Sequence, residues 1–112
     1  MKKDPLVFVE HILQQINDVK EFAKGLSREN LEKDIKTQKA IVRSIEIMGE
    51  AVRNLSKKFR EEHPEVEWKK MVGMRDMIVH EYFELNLGYV WDVIRKDLPV
   101  LKKQVEKILE EG

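Results

Sequence analysis

The side chains best suited to acid–base chemistry lie close together in the second half of the chain: Arg75, Asp76, His80 and Tyr82. A guanidinium is always charged and can bind two phosphate oxygens at once, whereas an imidazole, with an ordinary pKa of about 6.5, exchanges protons near neutral pH. These residue types suit acid–base catalysis, with His80 as the base and Arg75 stabilising negative charge. The same spacing also fits a surface ion pair followed by a cation at the C-terminal end of a helix.

The spacing limits how one helix can present these groups. At about 100° per residue, Arg75 and Tyr82 lie within about 20° of each other, whereas His80 lies about 140° from Arg75. Asp76 lies one turn before His80, where its carboxylate can accept a hydrogen bond from one imidazole nitrogen and make the other more basic. An ideal helix cannot aim Arg75 and His80 at one atom. Either the helix unwinds before His80, or two copies of the chain share a site.

Several other kinds of chemistry are excluded by the sequence. The chain has no cysteine, which excludes disulfides, thiolate zinc sites and thiol catalysis. It also lacks an H-E-x-x-H metal motif, a glycine-rich phosphate loop, a G-x-S-x-G elbow and a dinucleotide fingerprint. His11 lies near the edge of an apolar stripe and His63 precedes Pro64, so both are predicted to be structural or solvated. The sequence thus predicts neither a metal nor a cofactor.

The hydrophobic periodicity predicts an all-α fold that positions these residues. At 112 residues the chain is expected to form one domain over residues 1–112. Apolar residues recur at three- and four-residue steps, which is typical of amphipathic helices in a small up-and-down bundle. We expect four long helices and a short one, with the last helix kinked at Pro99. The predicted bounds are Asp4–Lys24, Ser27–Leu31, Asp34 to about residue 62, Glu67–His80 and Tyr89–Leu109.

The second long helix has the strongest periodicity. Its apolar residues step by four and three along one seam, at Ile41, Ile45, Met48, Val52, Leu55 and Phe59. A second apolar row beside the seam indicates that this helix is either central in the bundle or packed on another chain. Gly49, in the middle of the helix, suggests a close approach of a neighbouring backbone.

The charge distribution limits the possible ligands. The formal net charge is zero, which argues against a general nucleic-acid coat but leaves room for a local basic surface. No apolar run approaches the ~18 residues of a membrane span, so we expect a cytoplasmic protein without a membrane partner. Residues 35–62 carry a net charge of +3. Their cations fit either phosphate contacts with a nucleic acid or a solvated helix face, and the candidates are Lys39, Arg43, Arg53 and Lys57.

Several segments together resemble one known family. The string Arg75-x4-His80-x-Tyr82 matches the R-x4-H-x-Y signature of HEPN domains. The surrounding segments are similar to those of the HepT-like branch, namely residues 47–51 (Ile-Met-Gly-Glu-Ala), residues 63–75 and residues 90–99. Over nearly its whole length the chain therefore resembles the HepT-like toxins of HEPN/MNT toxin–antitoxin pairs.

The resemblance implies a fold, an activity and partners. HepT-like proteins are helical-bundle homodimers in which two R-x4-H-x-Y segments face each other, and they act as metal-independent endoribonucleases. A minimal nucleotidyltransferase (MNT) antitoxin neutralises the toxin, in studied pairs by adenylylating the motif tyrosine. On this chain, Arg75 and His80 would be catalytic, and Tyr82 would contact RNA and be the AMPylation site. Asp76 stands at the motif position where HEPN proteins often have asparagine. A carboxylate there would orient His80 more firmly but would repel phosphate.

Two other interpretations stay open. HEPN domains also occur as catalytically inactive modules that partner a nucleotidyltransferase or bind a nucleotide, in which case Arg75 would bind phosphate and His80 would be structural. A plain structural bundle that only dimerises is the second alternative. In that case substitutions in the motif would change stability and no activity.

Overall fold

The computed structural model describes residues 4–81 and 84–112, with only the backbone described for residues 79–81 and 84. The all-α fold class is confirmed, and a short two-stranded hairpin is added to it. Among the helices in these ranges, none combines the length and the apolar character that crossing a bilayer requires. In chain order the elements are α1 Pro5–Phe22, α2 Arg28–Lys33, α3 Ile35–Arg53, α4 Lys57–Glu62, α5 Trp68–Ile78, β1 Val79–Glu81, β2 Glu84–Leu85, α6 Leu87–Asp92, a π-helical segment Val93–Asp97, and α7 Leu98–Glu111.

The first three helices begin where the capping residues predict. Asp4 caps α1, and Pro5 occupies the first helical position, where a missing N–H is harmless. Ser27 and Asp34 cap α2 and α3 through their side-chain oxygens. Between α1 and α2, Gly25 has a φ of 75°, a left-handed conformation that glycine adopts without strain and that reverses the chain.

The central position in the bundle belongs to α3. This helix packs on both α1 and α5, and α1 packs on α7. The predicted seam of α3 is buried, and Ile41, Ile45, Met48 and Val52 are each at most 1% exposed. Two neighbours within one chain therefore account for the wide apolar arc of α3. The bundle can be described as two helix pairs, α3 with α5 and α1 with α7.

The middle of α3 lies close to the backbone of α5. A Cβ atom added at Gly49 would lie 3.8 Å from the carbonyl oxygen of Met71 and 3.8 Å from the Cα of Val72. The predicted close approach of a neighbouring backbone is therefore present. At this distance a single methyl group would fit in ordinary van der Waals contact, whereas a larger side chain would push α3 and α5 apart.

The seam of α3 extends beyond the helix itself. We predicted one helix from Asp34 to about residue 62, and this is wrong, because α3 ends at Arg53 and α4 begins at Lys57. The hydroxyl of Ser56 accepts a hydrogen bond from the amide of Phe59 at 3.0 Å and so starts a new helix. Leu55, between the two helices, is still buried, so apolar spacing alone does not reveal the break.

The predicted end of α5 is also wrong. The helix ends at Ile78 instead of His80, and the next residue, Val79, begins β1. The carbonyl of Ile78 accepts a hydrogen bond from the amide of Asn86 at 2.6 Å, which closes the base of the hairpin. Pairing with a later segment therefore ends this helix. No glycine or proline lies at this point to signal the end.

The last long helix is interrupted near Pro99, in the region where the kink was predicted. The π-helical segment Val93–Asp97 precedes α7, and Pro99 lies in the first turn of α7. Proline has no N–H, and in a regular α-helix its ring would clash with the carbonyl of Arg95. The wider π turn accommodates this clash without ending the helix.

Candidate active site

The guanidinium of Arg75 projects from the last turn of α5, away from the core. The buried residues of α5 recur at three- and four-residue steps, at Trp68, Met71, Met74 and Ile78. Arg75 falls between the last two of these, and its side chain is 50% exposed. The amphipathic character of α5 therefore places this cation at the surface, next to the end of the helix.

Two carboxylates lie beside the Arg75 guanidinium. Its Nε is 3.7 Å from Oε2 of Glu46 on α3, and its Nη1 is 3.9 Å from Oδ1 of Asp76. Both distances exceed the ~2.7–2.9 Å of a charge-assisted hydrogen bond. Partly exposed pairs of this kind contribute at most about 1 kcal/mol. An incoming phosphate can therefore replace either carboxylate as the partner of Arg75.

Glu46 is a site residue that the sequence analysis missed. It lies 29 positions before Arg75, and the two meet only because α3 packs along α5. No motif spacing in a single sequence connects them. Its side chain is 34% exposed, so it is a partly solvated carboxylate that lowers the positive potential around Arg75.

The predicted pairing of Asp76 with His80 assumed a helix that continued through residue 80. Because α5 ends at Ile78 and the backbone of His80 lies in β1, the one-turn spacing and the 140° angle do not apply. Of the two alternatives, the helix does end before His80. Asp76 is 83% exposed, and its carboxylate lies beside Arg75. The side chain of His80 and the whole of Tyr82 lie outside the described residues.

The segment that carries the remaining motif residues is fixed at its base. β1 and β2 pair antiparallel, and the amide of Asn86 donates a hydrogen bond to the carbonyl of Ile78. The side chain of Asn86 also caps α6. The described residues on either side of Tyr82, in β1 and β2, therefore meet at one place, directly after α5.

The predicted phosphate contacts belong to two helices. On α3, Lys39 and Arg53 each lie within about 20° of Glu46 around the helix axis, so they share the face that contacts Arg75. Lys57 instead begins α4, and its Nζ lies 3.8 Å from Oε1 of Glu61. All four predicted cations are exposed: Lys39, Arg43 and Arg53 on α3, and Lys57 on α4.

The start of α5 is held by contacts with the preceding turn. The indole nitrogen of buried Trp68 donates hydrogen bonds to the carbonyls of Arg60 at 3.1 Å and His63 at 3.0 Å. The ring of His63 packs on Phe59 with a centroid separation of 4.6 Å, and its Nδ1 lies 3.6 Å from Oε1 of Glu65. These are the contacts of a structural histidine, which is one of the two roles, structural or solvated, that we predicted for His63.

An ion pair also joins the first half of α5 to the π-helical segment. The Nζ of Lys70 donates a hydrogen bond to Oδ1 of Asp97 at 3.2 Å and lies 3.6 Å from Oε2 of Glu67. The hydrogen bond to Asp97 raises the pKa of Lys70 above its ordinary value, with a smaller contribution from the charge of Glu67. Burial raises the pKa of the Tyr89 phenol, and the charge of Asp97 adds to this shift.

A protein-family model matches most of the chain. The model described as Ribonuclease HepT-like aligns with residues 12–108 of the chain. The matched range includes α3, α5 and the segment with the R-x4-H-x-Y residues. It also covers both helix pairs of the bundle, so the similarity extends across the fold.

Curated relatives align along almost the whole chain. The chain is 49% identical over 108 residues to a protein of Caldanaerobacter subterraneus subsp. tengcongensis named "Putative RNase", and the alignment covers 96% of each chain. It is 36% identical over 108 residues to "Probable ribonuclease HepT" of Thermococcus cleftensis, which covers 96% of this chain and 98% of that one. A protein of Methanocaldococcus jannaschii, "Gamma-glutamylcyclotransferase and putative RNase", is 39% identical over 99% of this chain. This chain aligns with half the length of that longer protein. No solved structure gives a significant match.

Proposed function

Because the chain belongs to the HepT-like ribonuclease family, we propose that it is a metal-independent endoribonuclease whose reaction depends on Arg75 and His80. The observation that supports this best is the placement of Arg75. Its half-exposed guanidinium lies one turn before the segment that contains His80 and Tyr82, with carboxylate partners at 3.7 and 3.9 Å that a phosphate can replace.

The proposed reaction uses the nucleophile that RNA itself supplies. His80 removes the proton from a ribose 2′-OH, and the resulting oxygen attacks the adjacent phosphorus. Arg75 donates hydrogen bonds to the equatorial oxygens of the phosphorane, where negative charge develops. The bond from phosphorus to the 5′ oxygen then breaks, and that oxygen takes up a proton from a protonated imidazole. The products are a 2′,3′-cyclic phosphate and a 5′-hydroxyl, and no step requires a metal.

We further propose that the site is shared across a homodimer. One subunit's His80 then acts as the base and the other's as the acid, and two arginines add to the positive potential. Two apolar side chains on the α3–α5 side of the bundle fit this arrangement. Met77, in the same turn as Arg75, is 57% exposed, and Ile35, at the start of α3, is 62% exposed. Apolar surface next to such a site is typical of an interface with another chain.

The biological role follows as a proposal from the family. We propose that the protein is the toxin of a HEPN/MNT toxin–antitoxin pair, with an MNT-type nucleotidyltransferase as its antitoxin. Transfer of AMP to the hydroxyl of Tyr82 would place a bulky anion two residues from His80. That group would occupy the site and offset the charge of Arg75 that attracts RNA, so inhibition needs no long-range structural change.

A direct test is the cleavage of labelled RNA in the presence of EDTA. The parent protein is expected to release products that end in a 2′,3′-cyclic phosphate. Arg75→Ala is expected to slow cleavage by about 10²–10³-fold, and His80→Ala by about 10²–10⁴-fold. Lys58→Ala, which removes an exposed cation from α4, serves as the control and should keep the parent rate. Parent-like cleavage by either motif variant would refute the catalytic assignment.

Mixing the two inactive variants tests the shared site. In a heterodimer of Arg75→Ala with His80→Ala, one composite site keeps both an arginine and a histidine from opposite subunits. Activity should therefore rise on mixing above that of either variant alone, and it should stay below the parent rate because only one of the two imidazoles remains. If each site used residues of one subunit only, the mixture would stay inactive, and the shared arrangement would be wrong.

One observation favours a second candidate function. Glu46 and Asp76 both lie beside Arg75, and two carboxylates weaken the attraction of a phosphate to that guanidinium. A catalytically inactive HEPN module that partners a nucleotidyltransferase or binds a nucleotide would tolerate this weakening better than a nuclease. In that case the parent protein would bind nucleotide in an Arg75-dependent manner and would leave the labelled RNA intact.

A further inference from the structure

A groove between α1 and α7 lies apart from the candidate active site. It has a volume of about 1080 Å³ and is bounded by the end of α1, the turn that follows, the π-helical segment and the first half of α7. We call it the α1–α7 groove. Its lining includes two carboxylates, Glu21 and Glu106, and five cations: Lys20, Lys24, Arg95, Lys102 and Lys103.

The cations of the α1–α7 groove form no ion pairs in the part of the chain that the structure describes. There, no carboxylate oxygen lies within 4.0 Å of a charged nitrogen of any of the five. This contrasts with Lys70 and Arg75, which both have carboxylate partners. The guanidinium of Arg95 instead lies 5.7 Å from the centre of the Trp91 ring. With five cations and two carboxylates, the lining of the groove therefore has a net charge of +3.

The composition of the groove favours a nucleic-acid backbone over a protein as its ligand. Four of its five cations are lysines, and lysine is depleted in the cores of protein–protein interfaces, whereas lysine and arginine are the usual contacts of phosphate oxygens. Between the cations the groove is aliphatic, with Leu26, Ile94 and Pro99 in its lining. A basic groove that follows the backbone is a common way to hold a single strand irrespective of its sequence.

We propose that the α1–α7 groove binds the phosphate backbone of the RNA substrate at a distance from the bond that is cut. The proposal rests on the ribonuclease function proposed above. Arg75 lies on the α3–α5 pair, whereas the groove lies on the other helix pair of the bundle. Groove contacts should therefore increase the affinity for long RNA and have no effect on a dinucleotide that reaches only the active site.

The test compares two double variants with the same change in net charge. Lys24→Glu with Lys103→Glu reverses one exposed cation on each side of the groove. Lys58→Glu with Lys69→Glu reverses two exposed cations outside it, on α4 and α5, and serves as the control. Fluorescence anisotropy measures binding of a labelled, unstructured 20-nucleotide RNA, with Arg75→Ala present in every protein to prevent cleavage.

The groove variant is expected to bind the RNA roughly tenfold more weakly. The control should change by less than about twofold, because charges beyond a Debye length of ~8 Å are screened. A neutral variant, Lys24→Gln with Lys103→Gln, should lower the slope of log affinity against log salt by about 1.4, as expected for two lost single-strand contacts.

Cleavage assays on proteins that retain Arg75 separate this proposal from the proposed function. The groove variant should cut a dinucleotide at the parent rate and long RNA more slowly. If the parent cuts neither RNA, the catalytic proposal is wrong, and the anisotropy result still decides the role of the groove. If the groove variant binds RNA as tightly as the control, or if no protein binds RNA, the groove proposal is overturned, and an acidic protein becomes the better candidate ligand.

Discussion

The first turn of α5 and its last turn are held in different ways. At the start, the Trp68 indole is buried and donates two hydrogen bonds, and Lys70 reaches Asp97 at 3.2 Å. At the end, Arg75 has its nearest carboxylate at 3.7 Å, and Met77 is 57% exposed. One short helix therefore has a firmly packed start and an end with exposed chemical groups.

In the proposed function, this difference separates stability from function along the chain. A packed start fixes the direction of α5, so the exposed end can keep a cation in place without burying it. A buried guanidinium would need full neutralisation by its neighbours and would be unavailable to a substrate. We therefore expect substitutions at the start of α5 to change stability and substitutions at its end to change RNA binding and cleavage.

The largest expected effect is on stability, at the start of the helix. Trp68→Ala should lower the free energy of unfolding by about 3–5 kcal/mol, because it removes a buried aromatic side chain and leaves two carbonyls without their donor. Urea denaturation measures this change. The control is Met77→Ala at the exposed end, where we expect a change within about 0.5 kcal/mol. Equal losses from both substitutions would contradict the distinction between the two ends.

A smaller effect is expected at the end of α5, on RNA affinity. Glu46→Gln removes the carboxylate nearest the Arg75 guanidinium and should strengthen RNA binding by up to about fivefold, which corresponds to the ~1 kcal/mol of a partly exposed pair. Binding is measured by anisotropy in proteins that carry His80→Ala. Glu50→Gln, on an exposed position of the same helix, loses the same charge and should have less effect. Weaker binding by Glu46→Gln would indicate that Glu46 positions Arg75 instead of competing with phosphate.

The smallest expected effect is the pH dependence of stability at the start of α5. The pKa of Lys70 is raised from its ordinary 10.5 in the folded protein. The stabilisation of the folded state by protonated Lys70 is therefore complete below pH 10.5 and is lost as the pH rises through the folded-state pKa. The raised pKa of Tyr89 acts in the same direction, because the unfolded chain ionises its phenol first. The free energy of unfolding should therefore fall above pH 10 or so, by less than about 1 kcal/mol from Lys70, whose side chain is 42% exposed.

Asp97→Asn is the matched variant for this measurement. It removes the charge that raises the pKa of Lys70 and keeps the shape of the side chain. Its stability should decline less steeply than that of the parent in alkaline urea titrations. Superimposable profiles for the two proteins would show that the Lys70–Asp97 pair has no part in the stability of this region.

The fold could be predicted to the extent that local signals determine it. Caps such as Asp4 and Asp34 mark helix starts, and the seam of α3 marks a central helix. The breaks were harder to predict. Leu55 continues the apolar spacing across the gap after α3, although Ser56 has the residue type of a cap. The end of α5 at Ile78 depends on pairing between β1 and β2, which no local spacing reveals.

The candidate site could be predicted only in part, for the same reason. Arg75 was found because the motif is local in sequence, whereas Glu46 comes from a different helix and depends on packing. The basic surface illustrates this most clearly. The +3 charge of residues 35–62 drew attention to α3, whereas the cations of the α1–α7 groove lie at Lys20, Lys24 and three positions beyond residue 90. The net charge of a sequence segment therefore does not predict where cations from different helices come together on the folded surface.

The π-helical segment has a consequence for the alignment of the last long helix with the core. A π turn holds one residue more than an α turn, so it shifts everything that follows by about 100° around the axis. With that shift, Val90 and Val93 face the same interior as Leu98 and Leu101, and all four are buried. If the same residues formed a regular α-helix instead, the apolar stripe of α7 would be rotated by about 100° relative to the residues before the segment. The π turn thus keeps the buried side chains of α6 and α7 on the same side of the helix axis.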